Sequence, residues 1–385
     1  MTITSYFRRA YSSFVAHVFD IPARFMAFLL FLTLLFIPLM GLAPFYLSVL
    51  IQANVIAIFA ASWDLLVGRT GQISLGHAVF FGVGAYSTAI LSSTVYGFGL
   101  PLWVTIPIAM LVGSASALLI GFPCLRVKGP YLALVTMAFP LILQTVIKWA
   151  PLNSVFHGEN GIKSGVPSLF PFLAIRPFNQ QRLAEYYFSL ILLFICAVII
   201  YKIANSKTGI VFASILDDEL SSKACGINTT KYKLMAFILS GLFATLAGAA
   251  QTHFSPRGAD PSTFGLTMSF TPVVIAFLGG IGTIYGSIVG AYVYTLLDWF
   301  LLRDMLPRLL PSLSYEAIQY INLLIFSVLV LIFVIKWPRG VARFTTDKLE
   351  DLEEARNLDE RGPKIWRTYK KKKQSKGVDH ASTGS

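Results

Sequence analysis

Ten apolar stretches of helix length recur along the chain, at 25–43, 45–67, 72–95, 100–122, 130–150, 184–204, 232–252, 264–280, 283–302 and 316–337. About 20 apolar residues suffice to cross the hydrocarbon core of a bilayer as a helix. A water-soluble core absorbs many apolar residues, but not one helix-length run after another. The pattern predicts an all-α polytopic membrane protein of about ten transmembrane or re-entrant helices. Of the 385 residues, 55% are hydrophobic and only 13% charged, against about 25% charged in a soluble domain. The first run is long for a signal peptide, and bulky Pro38-Leu39-Met40 replaces a small-residue cleavage site. It predicts a retained helix.

Lysine and arginine gather on the cytoplasmic side of membrane proteins. With the N-terminus inside, ten spans return the C-terminus inside, and the inner segments then carry 24 of the 31 Lys and Arg residues. The outer side keeps Lys148, Lys163, Arg176, Arg182, Arg257, Arg303 and Arg308. Without the tail after 335 the balance is 11 to 7, the same sign but weaker. Region 264–302 reads as two spans broken at Gly279-Gly280-Ile281-Gly282, because a single span would put the basic tail outside. The chain thus divides into a cytoplasmic segment 1–24, a transmembrane domain 25–340 and a basic tail 341–385. The net charge of +12 is loop and tail charge. Basic residues are not interleaved with aromatics as in a nucleic-acid platform, so no nucleic-acid partner is expected. The lysines at 370–373 form either a solvated tail or a contact with anionic membrane lipid.

Several chemistries are excluded. Cys124, Cys196 and Cys225 form no CxxC pair, and His17, His77, His157, His253 and His380 show no metal-binding spacing. No metal or cofactor is expected. No glycine precedes a lysine, so a Walker A loop is absent and any ATP is bound by another chain. An intramembrane enzyme would need a paired nucleophile and base, which are missing. A stand-alone channel or secondary transporter would need a coupling-ion site. Gln52, Asn54, Asp64, Gln144, Gln251 and Asp298 are too scattered for one and read as inter-helix hydrogen-bonding groups.

Four features stand out. Gln72, Ser74, Gly76, His77, Gly82 and Gly84 form a polar and glycine-rich entry to the third run, suited to a broken helix lining a transport path or to close packing. Gly282, Gly286 and Gly290 have GxxxGxxxG spacing, which places them on one helix face for packing. Between runs six and seven, residues 205–231 predict a short cytoplasmic helix. Ser214-x-x-Asp217 is a variant capping box, Asp217, Asp218 and Glu219 favour a helix start, Gly226 suits its end, and Thr229 caps the next span. Such a helix is either a docking element or an ordinary connector. The outer loop 151–183 contains His157-Gly158-Glu159-Asn160-Gly161-Ile162 and is large enough to receive an external partner or to act as a lid.

At these residues the sequence resembles the branched-chain amino acid permease family of ABC importers, and most closely its longer, M-type subunit. GQISLGHAVFFGVGAY at 71–86 resembles that subunit's signature, and Gly129-Pro130-Tyr131 through Thr136-Met137-Ala138-Phe139 resembles its next motif. Residues Ser206 through Asp218-Glu219 to Ala224-Cys225-Gly226-Ile227-Asn228 are similar to its ATPase-coupling segment, and 277–286 to its late glycine motif. The resemblance covers about 25–340. It departs in two places. His157 and Glu159 alter the usual Thr-Gly-Gly-x-x-Gly pattern, and Ile210, Ala213 and Leu216 occupy likely arginine positions of the coupling segment. The resemblance implies a non-enzymatic permease subunit in a prokaryotic cytoplasmic (inner) membrane. It would pair with a second, shorter (H-type) permease, two cytoplasmic ATPase subunits and a periplasmic or lipid-anchored binding protein. Ser214, Asp217, Asp218, Glu219, Ala224 and Gly226 would couple to the ATPase, and Gly158, Glu159, Asn160 and Gly161 would dock the binding protein. The substrate would be a hydrophobic amino acid, or urea or a short amide, since related importers share these motifs.

Overall fold

The computed structural model describes residues 22–96, 98–125, 127, 129–162, 178–254 and 258–300, with eight scattered positions between 321 and 336. The regular structure of the described residues is helical apart from one isolated antiparallel bridge, between Ile162 and Ala259. The α-helices of six or more residues are α1 (Pro22–Phe36), α2 (Pro44–Thr70), α3 (Ala78–Ser92), α4 (Leu102–Cys124), α5 (Pro130–Lys148), α6 (Phe178–Ala204), α7 (Lys207–Asp217), α8 (Glu219–Ala224), α9 (Thr229–Phe254), α10 (Leu266–Gly279) and α11 (Ile284–Leu296). Residues Leu32–Ala342 form one compact unit, which holds every site discussed below.

Prolines and glycines set the boundaries. Pro44 and Pro130 open α2 and α5, where the missing amide costs nothing. Gly71, at φ +70°, ends α2 with its N–H donated to the Val67 carbonyl. Among the described residues five helices (α2, α4, α5, α6 and α9) are long and apolar enough to cross a membrane. The pair α10 and α11, bent by 112° at the 280–283 break, makes a sixth if counted as one span. The break expected in 264–302 is therefore present, but the two helices reach spanning length only together, so the two separate spans expected there are not shown. Region 72–95, expected to be one span, holds a helix of only 15 residues, about 22 Å long, after an extended stretch. Most of the tenth run, 316–337, nearly all of 1–24 and all of 341–385 lie outside the described residues.

The bundle has a clear centre. In α2 and α9 the most apolar stretches are 78% and 67% buried, against 28% in α4 and α5 and 33% in α6. Helix α9 packs against α2, α3 and α4, while α2 also packs against α6, α10 and α11. Small residues allow this. A Cβ at Gly84 of α3 would lie 2.1 Å from the Thr245 carbonyl oxygen of α9, and one at Gly248 would lie 1.9 Å from that of Phe81. The outer helices expose apolar side chains such as Trp103, Leu111, Leu119 and Tyr131, as expected of surfaces solvated by lipid.

Candidate functional site

The 71–77 segment leaves helical geometry, and several of its polar groups find partners within it or on neighbouring helices. Trp63 Nε1 of α2 donates to the Ser74 carbonyl (2.7 Å), Leu75 N–H donates to Thr136 Oγ1 of α5 (3.1 Å), and Gly76 N–H donates to Ser74 Oγ (3.3 Å). Gly76 sits so close to α5 that a Cβ would be 2.4 Å from the Thr136 carbonyl oxygen. His77 is fully buried, with Nε2 sharing a hydrogen bond with Ser240 Oγ of α9 (2.8 Å) and its ring edge-on to Phe80. Gln72 is buried and its amide donates to Thr70 Oγ1 (3.3 Å). Gly82 faces the Phe264 ring. Gln72, Ser74, Gly76, His77, Gly82 and Gly84 are thus all buried within this chain, between α3 and the helices around it.

The glycine series is divided by the break. Gly282 lies in the turn before α11, at φ +83°, so it shares no helix face with Gly286 and Gly290. This corrects the expectation drawn from spacing, because the spacing continues through a point where the helix does not. Gly286 and Gly290 do lie together on α11, pressed against α10. A Cβ at Gly290 would fall 2.4 Å from the Ile275 carbonyl oxygen, and one at Gly279 would fall 1.8 Å from that of Gly286. The turn is tied to α2 by Asp64, whose Oδ1 accepts from Gly282 N–H (2.7 Å).

The connector after α6 is two helices, not the single one expected from 214 to 226. Ser206 caps α7 by accepting from Gly209 N–H, and Asp218 caps α8 by accepting from Leu220 N–H (2.8 Å). Ser214 is therefore not a cap. It lies inside α7 and its hydroxyl bonds that of Ser222 (2.6 Å), closing the bend. Nor does Thr229 cap α9. Asn228 Oδ1 accepts from Lys231 N–H (3.0 Å), while the Thr229 hydroxyl donates to Glu219 Oε1 (3.3 Å). Glu219 also pairs with Lys223 (2.9 Å) and with Lys233 of α9 (2.6 Å). Partial burial would raise its carboxyl pKa, but the hydrogen bonds and charges of the two lysines prevail and hold it at about 2. Hydrogen bonds from Ser221 and the backbone lower that of Asp218. Asp217, Asp218, Ala224 and Gly226 are exposed, with Gly226 at φ +82° past the helix end as expected. Phe212 and Ile215 bury α7 against the bundle, and Leu216 approaches Gly71 at the end of α2.

In the 151–183 loop the described residues run from 151 to 162 before the start of α6 at 178. His157, Gly158 and Gly161 all have positive φ, which shapes the tight HGENGI turn. Ile162 and Ala259 exchange N–H to carbonyl bonds of 2.7 and 3.1 Å. A Cβ at Gly161 would lie 2.3 Å from the Ala259 carbonyl oxygen. Beneath this cover Tyr86, Ala89, Ile147, Ile162 and Phe264 form an apolar cluster. Gly158 and Gly161 are buried there, and Glu159 and Asn160 point outward, with Glu159 3.7 Å from Lys148. Residues 163–177 lie outside the described residues.

Asn54, expected to be an inter-helix hydrogen-bonding group, is one, while the role of Arg182 escaped the sequence reading. Asn54 of α2 donates to Ser189 Oγ of α6 (2.8 Å) and accepts from the Tyr292 hydroxyl of α11, joining three helices. Arg182, counted above as a loop charge, has a largely buried side chain bonded to Glu185 (2.9 Å) and to the Phe254 carbonyl (3.0 Å). The Arg-x-x-Glu spacing at the edge of an apolar run was the available signal.

Residues 45–335 match the family model described as the branched-chain amino acid transport system permease component. The high-affinity branched-chain amino acid transport system permease protein LivM of Salmonella typhimurium is 30% identical over 270 residues, 64% of this chain and 61% of that protein. Its Escherichia coli K12 counterpart is 29% identical over 61% of this chain and 58% of its own length. The match thus spans about three fifths of those relatives. An autoinducer 2 import system permease protein LsrC from Enterobacter sp. strain 638 is 25% identical over 73% of this chain and 80% of that protein. No solved structure matches. With a helical, multi-span bundle and a family match over most of its length, the chain belongs to the branched-chain amino acid transport permease family.

Proposed function

We propose that the chain is the M-type permease subunit of an ATP-driven importer for branched-chain or other hydrophobic amino acids. It works in a prokaryotic inner membrane with a shorter permease, two ATPase subunits and an external binding protein. The observation that carries the reading is the α7–α8 connector. It is capped at both helix starts, stapled to α9 through Glu219 and buried on one side by Phe212 and Ile215. On its other side Ile210, Leu216 and Leu220 are 68%, 44% and 75% exposed. Apolar side chains on a connector outside the spans suit a groove on a partner, and two of them, Ile210 and Leu216, stand at likely arginine positions of the resemblance. Docking here is by apolar contact, with Glu219 acting inside the connector.

The two ends of the bundle differ as an importer requires. The connector lies at the start of α9 and the HGENGI cover beyond its end. The helix of 26 residues between them is about 39 Å long, enough to separate two membrane faces. This supports a cytoplasmic connector, a cytoplasmic turn at 280–283, and an outer surface at Glu159 and Asn160 that receives the binding protein. The buried residues at 72–84 become the path when α3 moves relative to α9, a switch between two packings. The LivM relatives favour amino acids over urea or amides. Reconstitution with candidate ATPase and binding-protein partners tests the reading. Import that continues without any ATPase refutes it, as does coupled import by a variant lacking 207–224.

A further inference from the structure

Two stretches of non-helical backbone lie against consecutive residues of α2. Trp63 Nε1 holds the Ser74 carbonyl of the 71–77 segment, and Asp64 Oδ1 holds the Gly282 N–H of the 280–283 turn. Non-helical backbone at membrane depth is tolerated where protein or a water-filled cavity satisfies it. Gly282 N–H lies outside both helical ladders. The last bond of α10 runs from Gly280 N–H to the Ala276 carbonyl, and α11 opens with Ser287 N–H donating to the Thr283 carbonyl.

The contact is closely fitted. Asp64 is 2% exposed, and a Cβ on Gly68 would lie 2.6 Å from Asp64 Oδ1 and 2.7 Å from Gly282 Cα. Only a glycine on α2 lets the turn come this near. Gly282 itself has φ +83°, open to glycine at no cost. Trp63, Val67 and Ala276, with Val273 and Ile281, pack around the contact. A carboxylate is a costly choice for holding a backbone amide inside a membrane, since a neutral acceptor would serve for packing alone. What the charge adds is a stronger bond, and its partner is a turn at which two helices bend by 112°. Two turns beyond Asp64, α2 ends at Gly71 beside Leu216 of the connector.

We propose that Asp64 is a positioning residue, a latch that holds the 280–283 turn against α2 and keeps the cytoplasmic mouth of the bundle closed at rest. Release of the turn lets α10 and α11 swing from α2, and the connector, touching the end of the same helix, is placed to trigger it. The sidedness rests on the functional reading above; the latch itself does not.

The test is water access to the turn in the full-length chain, co-expressed with its partners in membrane vesicles. Ile284→Cys, at the half-buried first residue of α11, is labelled with a charged methanethiosulfonate reagent. Exposed Cys225 is replaced by serine, while Cys124 and Cys196, both buried, report any general loosening. Asp64→Leu is expected to raise the labelling rate at 284 by about tenfold and Asp64→Asn by about threefold, reflecting loss or weakening of one hydrogen bond to a charged group. Cys124 and Cys196 are expected to stay unreactive. Equal rates with and without Asp64 overturn the latch, as does equal acceleration at the two buried cysteines, which would mean a purely structural role. Should Asp64→Leu fail to accumulate, the Asp64→Asn rate alone decides, and no change refutes the proposal. Labelling that is accelerated, but only from the external side, refutes the sidedness and leaves the latch standing.

Discussion

Glu219→Gln tests the connector most sharply. The wild-type carboxylate meets Lys233 at 2.6 Å, Lys223 at 2.9 Å and the Thr229 hydroxyl at 3.3 Å, tying α8 to the first two turns of α9. Its pKa falls from 4.5 to about 2 because the two lysines outweigh the opposing effect of burial. In a shielded site that fall would correspond to roughly 3 kcal/mol. Here the side chains of Glu219, Lys233 and Lys223 are 29%, 18% and 43% exposed, and screening reduces the contribution to about 1 kcal/mol. Glutamine keeps the shape and removes the charge, so hydrogen-exchange protection of the α8 amides is expected to drop about fivefold at pH 7. The pH dependence has a definite sign. A depressed carboxylate pKa stabilises the fold above its unfolded value, and the stabilisation is lost as pH falls through the folded value. The difference between wild type and variant is therefore expected to be constant from pH 7 to 5 and to shrink between 4.5 and about 2. Equal protection at pH 7, or a difference that grows on acidification, would refute the staple.

Other perturbations address the bundle. Gly84→Ala forces a methyl to within 2.1 Å of the Thr245 carbonyl oxygen and is expected to cost about 1–3 kcal/mol, read as a lower Tm in detergent; an unchanged Tm would contradict the α3–α9 contact. Gly161→Ala meets both a φ of +65° and the Ala259 carbonyl oxygen at 2.3 Å; it is expected to cost about 1–2 kcal/mol and to open 150–162 to limited proteolysis. Gly286→Leu would strike Thr283 Oγ1 and the Gly279 carbonyl oxygen within this chain, so the isolated subunit is expected to lose thermal stability before any loss of partner binding; normal stability with reduced complex yield would place the contact between subunits instead.

Helix positions were legible because lipid demands continuous apolar length, and 45–67, 100–122, 130–150, 184–204 and 232–252 each correspond to a helix within a few residues. The break at 279–282 was legible from its glycines. What misled was local pattern without partners. Ser214-x-x-Asp217 looks like a cap, yet the helix had already begun at Lys207 and the cap fell to Ser206, which has the same chemistry one element earlier. Gly282 has the right spacing for a helix face, but its amide is used by Asp64, which lies 218 residues away in sequence.

The sequence by itself determined the medium, the helical class and the break at 279–282, since these follow from apolar length and glycine content read locally, and its motifs carried the family resemblance. Tertiary structure alone decided which groups the breaks rest on. Asp64 was one scattered polar residue among six, and Arg182 one loop charge among seven. Their meaning depends on which backbone amide or carbonyl from a distant helix arrives within hydrogen-bonding distance, and no local pattern encodes that.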